Sequence, residues 1–364
     1  MTSLGRSLGL GLVIVAATQV NASGAAPHHT VKAPRHNVAP AKAAPAPKYI
    51  RDRVAELGRG FDGQVGIAVK SIDDGWETGW KDHDLYPQQS VSKLWVSITA
   101  LDAVDRGRAS LDDKVTLTKD DLTLFHEPII DDILKTGSYT TTLGDLMLRA
   151  ITTSDNTAND KMMRSVGGPK AVRAMIARKH LGSIRFANGE RDMQSRIAGL
   201  TWSQDYAFNG KFFDARDALP LKVRSAAFNR YLDNPYDGAA PYAIVNALAR
   251  LKRGELLSAQ STAHLLDIMS RTHTGPQRLK GGLAPGWTLN HKTGTGQELG
   301  GEQAGYNDIG ILTAPDGKSY AVAVIMKRAS TPLPVRMALM SDVTRTVIAQ
   351  HDQQGGGSGV AKRR

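Results

Sequence analysis

The strand-forming stretches of this chain lie at its two ends, and that placement limits the folds open to it more than any other feature. Near the N-terminus Val65, Ile67 and Val69 alternate as a strand, and a second extended stretch covers Trp76 to Trp80. Near the C-terminus Trp287, Leu289 and His291 alternate into Lys292-Thr293-Gly294-Thr295-Gly296. Strands from Tyr306 to Leu312 and from Tyr320 to Met326 follow, joined by Pro315-Asp316-Gly317. A strand satisfies its backbone groups beside another strand, so the two ends must share one sheet. The helical stretches between them must then fill a second lobe. A short amphipathic helix at Ile50, Val54 and Leu57, stopped by Gly58 and Gly60, leads into the first strand, and a closing helix runs from about Val335 to Ala349.

With 364 residues, 41% of them hydrophobic, the chain can bury a sizeable core in one large domain or two smaller ones. Its net charge of +11 would suit nucleic acid or an anionic surface. The charge sits in the ends, however. Arg6, Lys32, Arg35, Lys42, Lys48, Lys362, Arg363 and Arg364 lie outside the middle, leaving it 38 basic against 35 acidic residues. No nucleic-acid partner is expected from so neutral a middle. The absence of cysteine removes disulfides, thiolate metal sites, a cysteine nucleophile and a lipid-modified N-terminal cysteine. The histidines show no paired spacing in the globular part, and His28, His29 and His36 sit in a linker, so no metal is expected.

Residues 1–22 carry Arg6, an apolar stretch from Leu8 to Val20 and a small-residue pattern at Val20-Asn21-Ala22, which read as a secretory signal peptide. The apolar stretch falls short of the ~20 residues of a membrane span. Cleavage is therefore expected, with export across the inner membrane to a periplasmic or extracellular location and no stable membrane insertion afterwards. Residues 23–48, rich in Ala, Pro, His and Lys, read as a disordered basic linker, and 352–364 as a disordered tail. The folded domain is expected over 49–351, as a monomer.

Between the strands lie two short polar motifs. Ser90-Val91-Ser92-Lys93 follows Pro87 and opens a run of Leu94, Trp95, Ile98, Leu101 and Val104 whose spacing fits one buried helix face. A serine on the first turn of such a helix shares a face with Lys93, one turn on. A serine hydroxyl is a poor nucleophile at neutral pH, and an amine whose pKa is lowered by burial or nearby positive charge can take its proton. The plainer use of the pair is a capped helix with a solvated lysine. Further on, Thr142 and Asp145 cap a helix striped by Leu143, Leu146, Met147, Ala150 and Ile151, which runs out at Ser154-Asp155-Asn156. A second helix continues through Met162 and Met163 to Gly167-Gly168-Pro169, so the tripeptide marks a helix-to-helix corner. Such a corner either presents short polar side chains to a cleft or simply caps a helix. At the C-terminal strand, Thr293 and Thr295 share a face, and Gly294 between them lets a substrate backbone approach closely. Leu111 to Val115 reads as a loop with a short extended piece and Leu122 to Pro128 as another loop, where Phe125 or His126 could wall a cleft.

Serine-x-x-lysine, Ser-Asp-Asn and Lys-Thr-Gly in this order resemble the motif set of the penicillin-recognising serine enzymes. The chain resembles the class A serine β-lactamases in particular, from about Ile50 to Ile348. The likeness includes Pro87, the stretch Ala150-Ile151-Thr152-Thr153-Ser154-Asp155-Asn156-Thr157-Ala158, and Leu283-Ala284-Pro285-Gly286-Trp287 leading to His291-Lys292-Thr293-Gly294. The resemblance implies an α/β (α+β) fold with a five-stranded antiparallel sheet flanked by helices, plus an all-helical lobe. The α/β lobe would take residues 49–85 and 262–351, and the helical lobe 86–261. It also implies hydrolysis of a β-lactam amide through a Ser90 acyl-enzyme, with no cofactor and a small-molecule β-lactam or peptidoglycan-like substrate. In that scheme Lys93 accepts the proton of Ser90, and the backbone N–H groups of Ser90 and Thr295 form an oxyanion hole. Ser154, supported by Lys292, relays a proton to the leaving nitrogen. Asn156 holds the substrate's side-chain amide, and Thr293 with Lys292 binds its carboxylate. A D,D-peptidase-like cell-wall hydrolase and a non-hydrolysing β-lactam or peptidoglycan sensor share the same motifs and differ in deacylation.

Class A enzymes release the acyl group with a glutamate in a Glu-x-x-x-Asn pattern, and Glu190-Arg191-Asp192-Met193-Gln194 resembles it, with Gln194 in place of asparagine to hold the water. The plainer reading of Glu190 is a solvated surface residue beside Arg191. Two departures stand out. Between Gln194 and Pro241 the chain is about 30 residues longer than the usual loop, with Trp202, Tyr206, Phe208, Phe212, Phe213 and Tyr231 inside it; these suggest packed structure over the cleft rim or a satellite cluster elsewhere. Asp205 and Asp214 within it are alternative bases. The arginine that many class A enzymes set against the substrate carboxylate has no clear counterpart: Asn307-Asp308 occupies one expected place, and Arg328 and Arg336 are the candidates.

Overall fold

A computed structural model describes residues 44–356, so the expected signal peptide and most of the expected linker and tail fall outside the described residues. The linker's end moves inward. Ala46 is already buried in the core, and Pro47 leads directly into α1 (Lys48–Gly60), which buries Ile50 and Val54. Gly58 does not stop this helix: a Cβ there would lie 2.2 Å from the Trp80 ring, so glycine lets the helix lie against the strand that carries Trp80.

In chain order there follow β1 (Gln64–Ser71), β2 (Glu77–Trp80), α2 (Lys93–Asp105), β3 (Lys114–Thr118), α3 (Ile130–Thr136), β4 (Ser138–Thr142), α4 (Leu143–Thr152), α5 (Asn156–Ser165) and α6 (Gly168–Arg178). The long insertion then contributes to α7 (Glu190–Ile197), α8 (Lys211–Asp217) and α9 (Leu221–Asp233). The rest comprises α10 (Pro241–Lys252), α11 (Ala259–Ser270), β5 (Thr288–Thr295), β6 (Glu298–Leu299), β7 (Glu302–Gln303), β8 (Tyr306–Thr313), β9 (Ser319–Lys327) and α12 (Leu333–His351).

Both chain ends do meet in one antiparallel sheet of five strands, ordered β2-β1-β9-β8-β5. Val65 faces Met326 and Val69 faces Val322 across the join, so a strand from each end forms the centre. β9 turns Tyr320, Val322, Val324 and Met326 into the core shared with α1 and α12, and Ala321, Ala323 and Ile325 toward Ile244 and Leu248 of α10. The alanines make room for α10 on that face. Helices on both faces explain why β8 and β9 are buried almost throughout rather than alternating with polar residues. Because α10 lies on β1, β8 and β9, and α11 on β5, the lobe boundary drawn at 261/262 falls inside α11 and leaves α10 with the wrong lobe.

Helix α2 runs through the middle of the helical part, against α4, α5, α6 and α11. The apolar spacing promises one buried face; in fact Lys93 to Asp102 are buried all round. Its polar residues fit there because they are satisfied locally. Ser97 and Thr99 donate to the carbonyls of Lys93 and Trp95 one turn back, and Asp102 takes Arg178 at 2.6 Å and Lys179 at 2.7 Å. Thr142 caps α4 by accepting the Asp145 N–H, as its spacing predicts. The pairing of β3 with β4 and the short α3 are not apparent in the sequence.

Candidate active site

The chain enters α2 through a tight 3-10 turn, Gln89–Ser92, so Ser90 stands just ahead of the helix instead of on its first turn. Gln89 takes a left-handed backbone, φ +54°, which a side chain seldom adopts unless its surroundings hold it. Here its N–H donates to the Asp237 carboxylate at 2.6 Å. The turn brings Lys93 Nζ to 2.6 Å from Ser90 Oγ, while the same ammonium donates to Asn156 Oδ1 at 2.6 Å and pairs with Glu190 Oε1 at 2.8 Å. Three acceptors use all three N–H bonds of a lysine that has no contact with solvent. A capped helix with a solvated lysine is therefore not what the motif builds. Losing one member of so buried an ion pair leaves the other uncompensated, at a typical cost of about 3–5 kcal/mol.

Opposite this turn stands the corner between α4 and α5. Ser154 is left-handed too, φ +64°, and receives Lys292 Nζ at 2.9 Å. Asp155 does cap α5, accepting the Ala158 N–H at 2.8 Å, and its other oxygen accepts the Ile129 N–H at 2.7 Å, which ties the 122–129 loop to the corner. Asn156 gives one N–H to the Leu124 carbonyl at 2.7 Å, and no partner among the described residues takes the second. Lys292 is wholly buried; burial, and next the positive charge of Lys93, hold its amine well below the ordinary lysine range. A proton on it is held less firmly than on a surface lysine.

β5 is an edge strand, free on the side away from β8. Since Gly296 N–H donates back toward the sheet, to Gly305 at 2.9 Å, the alternation of the strand points the neighbouring Thr295 N–H outward into the cleft. Thr293 Oγ1 lies 2.6 Å from Thr274 Oγ1. Gly294 is not set against the substrate as expected. A Cβ on it would lie 2.3 Å from the Gln88 carbonyl and 3.2 Å from the Val91 nitrogen, so its bareness serves the packing of β5 on the nucleophile turn.

Glu190 is buried, which rules out the surface reading. Gly189 precedes it with φ +101° and no room for a side chain beside Met163 and Asp160. Glu190 N–H donates to Asp160 at 3.0 and 3.1 Å, and Asp160 is pushed up to about 6 by burial and then by the charge of Glu190. One turn on, Gln194 Nε2 donates to Glu190 Oε2 at 3.1 Å. Arg191 turns away, donating to the Asp120 carbonyl and lying over Trp202.

These groups surround a cleft of about 460 Å³, with Ser90, Ser154, Asn156, Thr293, Thr295 and Gln194 in its wall. Lys93, Glu190 and Lys292 stand behind them, and His126 and Phe125 complete one side. Phe125, left-handed at φ +67°, meets Phe212 edge-on at 5.1 Å and Phe213 at 6.0 Å, so α8 does reach the rim. Trp202 and Tyr206 back Phe212 in a satellite cluster, Phe208 packs on the main core, and Tyr231 is buried beside Gln89. Asp205 and Asp214 are exposed and away from the cleft wall.

One arginine that the sequence reading did not single out, Arg278, stands at the cleft. It lines the cleft, donates to Thr295 Oγ1 at 2.6 Å and to the Gly294 and Asn307 carbonyls, and stacks on Tyr306 at 3.8 Å. Arg328 instead pairs with Glu302 and Asp233, and Arg336 donates to Thr331 and Gln303; neither lines the cleft. Nothing local marks Arg278: it rides on an irregular loop that only the path of β5 brings alongside the Lys-Thr-Gly strand.

An activated serine under an edge-strand donor is the equipment of an acyl-transfer hydrolase. The kinship extends over the whole domain, for residues 48–351 match the β-lactamase enzyme family, and the chain belongs to it as a serine hydrolase acting on β-lactams. It is 27% identical to a β-lactamase of Mycobacterium tuberculosis over 89% of this chain and 92% of that one. The crystal structure of a β-lactamase from Chitinophaga pinensis superposes with a TM-score of 0.68 at 27% identity, covering 82% of this chain and 97% of the other. The class A β-lactamase of the last common ancestor of Gram-negative bacteria does so at 0.66 and 27%, covering 82% and 98%.

Proposed function

We propose that this protein opens β-lactams at Ser90 and releases the product with Glu190. Ser90 Oγ bonds to the lactam carbonyl carbon as its proton passes to Lys93, which can first give a proton to Glu190 at 2.8 Å. The carbonyl oxygen goes to the N–H groups of Ser90 and Thr295. The C–N bond breaks as the nitrogen takes a proton from Ser154, replenished by Lys292 at 2.9 Å. Asn156 holds the side-chain amide through its spare N–H. Thr293, Thr295 and Arg278 take the carboxylate, with Arg278 in the part that sequence reasoning offered to Arg328 and Arg336. The proton that Glu190 took in the first half replaces the one Lys292 gave up, so Glu190 is ionised again before the second half. A water held by Gln194 then loses a proton to Glu190 as its oxygen bonds to the acyl carbon, Ser90 leaves with a proton from Lys93, and Glu190 returns one to Lys93.

The observation that carries this reading is the burial of Glu190 within hydrogen-bond reach of both Lys93 and Gln194. A base so placed favours a lactamase over a slowly releasing D,D-peptidase or a sensor that does not release. The rest of the proposal is an exported, monomeric enzyme conferring resistance to β-lactam antibiotics, with its lobes divided near Pro241 in place of 261/262. Among the described residues no helix is long and apolar enough to cross a membrane. The test is incubation with a chromogenic cephalosporin followed by intact-mass spectrometry. Turnover with a transient +substrate adduct is expected. A permanent adduct without turnover would make the protein a sensor, and release of D-alanine from a cell-wall peptide without cephalosporin turnover would make it a peptidase.

A further inference from the structure

A buried chain of hydrogen bonds runs from the insertion to the base. Asp237, with no exposed surface, accepts the Tyr231 hydroxyl at 2.9 Å; the Tyr231 oxygen accepts Gln89 Nε2 at 2.6 Å; Gln89 Oε1 accepts Gln194 Nε2 at 3.1 Å; and the other N–H of that amide goes to Glu190. An ionised carboxylate only accepts, so the two ends of the chain dictate its sense. Tyr231 must give its proton to Asp237, and burial holds its phenol well above the usual value, keeping that proton in place. Its oxygen is then left as an acceptor, which turns the Gln89 amide so that its nitrogen faces Tyr231 and its oxygen faces Gln194. Gln194 must answer with nitrogen and turn its own oxygen the other way, where Gln297 Nε2 meets it at 3.0 Å.

We propose that Tyr231 of the insertion is a positioning residue for hydrolysis of the acyl-enzyme, fixing through Gln89 which way the Gln194 amide points. The inference rests on Glu190 and Gln194 holding the water. With Gln194 Oε1 toward the cleft, both hydrogens of that water are accepted, one by Glu190 and one by Gln194. The remaining lone pair is free for the acyl carbon. With the amide reversed, Gln194 donates to the water oxygen and competes for the electrons that must attack. The polarity of this chain, beyond its mere presence, is thus what the insertion contributes.

Two variants test it, each against a folding control. Tyr231→Phe keeps the ring and removes the hydroxyl. Asp237→Asn keeps the shape but offers an N–H to Tyr231 once its oxygen has taken the Gln89 N–H, which reverses the chain. Both are expected to slow deacylation roughly 10–100-fold, with the acyl-enzyme accumulating in the mass spectrum while pre-steady-state acylation stays near the parent's. Thermal unfolding is followed in parallel, and Asp237→Asn decides alone should Tyr231→Phe fail to fold. Parental turnover without an adduct, or acylation falling in step with release, overturns the proposal. Glu190→Gln separates the two levels. If it shows no accumulation, the base reading itself fails; if it stalls while both other variants run freely, only the role of Tyr231 does.

Discussion

The two sides of the cleft are held in place by different means. The acylating side, Ser90, Lys93, Ser154 and Lys292, is mounted at the ends of α2 and α4 and on β5, elements whose apolar residues are anchored in the two large cores. The hydrolytic side, Glu190 and Gln194, sits on the short α7, whose own packing is a small cluster of Met193 and Ile197 with Phe228, Tyr231 and Leu232 of the insertion. Its remaining support is polar, through Asp160, Asp237, Gln89 and Gln297. Apolar packing fixes a position and is indifferent to proton arrangement; hydrogen bonds between buried polar groups fix both and fail together when one is lost. The first half-reaction should therefore tolerate change around it better than the second.

The largest effect expected is the one that removes both halves. Ser90→Ala should abolish covalent labelling by penicillins and all turnover, since it removes the hydroxyl held 2.6 Å from Lys93 Nζ; persisting mass addition would refute the assignment. Next, Glu190→Ala should separate the halves. Acylation continues, with Lys93 as the remaining base, and release slows by about 10²–10⁴-fold, seen as a burst followed by a stall. Parental steady-state rates in that variant would end the distinction between the two sides. Smaller again, Arg278→Ala should lower kcat/KM by roughly 10–100-fold through lost carboxylate binding and leave the deacylation rate alone. A change in deacylation would show that Arg278 serves the hydrolytic side.

The smallest effect concerns stability. Asp160 and Asp237 are each raised from 3.8 to about 6 by burial. An acid whose folded value lies above its unfolded one favours folding most when protonated. Its contribution is present below the unfolded value near 4 and is lost as pH rises through 6. Asp160→Asn, which can still accept the Glu190 N–H, should remove its share of that loss, roughly 1–3 kcal/mol between pH 4 and 7. Denaturant titrations of the variant and parent at both pH values would check this, and parallel curves would place the titration elsewhere.

The same contrast decides what could be read from the sequence. Ser90 with Lys93, the Ser154 corner and Lys292 are legible because each is a short local pattern on a regular element, and the sheet is legible because its alternation survives at both ends. Glu190 could be found only through its resemblance to the Glu-x-x-x-Asn pattern of the class A enzymes. Asp160, Asp237, Tyr231 and Arg278 could not, since each acts across distances in sequence that no periodicity spans. β4, Ser138 to Thr142, carries β-branched residues that favour a strand but lacks apolar alternation to announce it. Gly58 and Gly294 read as a stop and as a substrate contact because sequence shows the missing side chain without showing what fills its place.

Gly294 has a longer reach than its packing. With the Gln88 carbonyl where even a methyl group would fall, the span between the nucleophile and the edge strand is a fixed dimension of the enzyme, closed to drift by any substitution at that position. Selection for bulkier or smaller substrates must then work on the opposite wall. There Phe125, Phe212 and Phe213 meet ring against ring at the cleft mouth, and side chains can be exchanged without moving a strand.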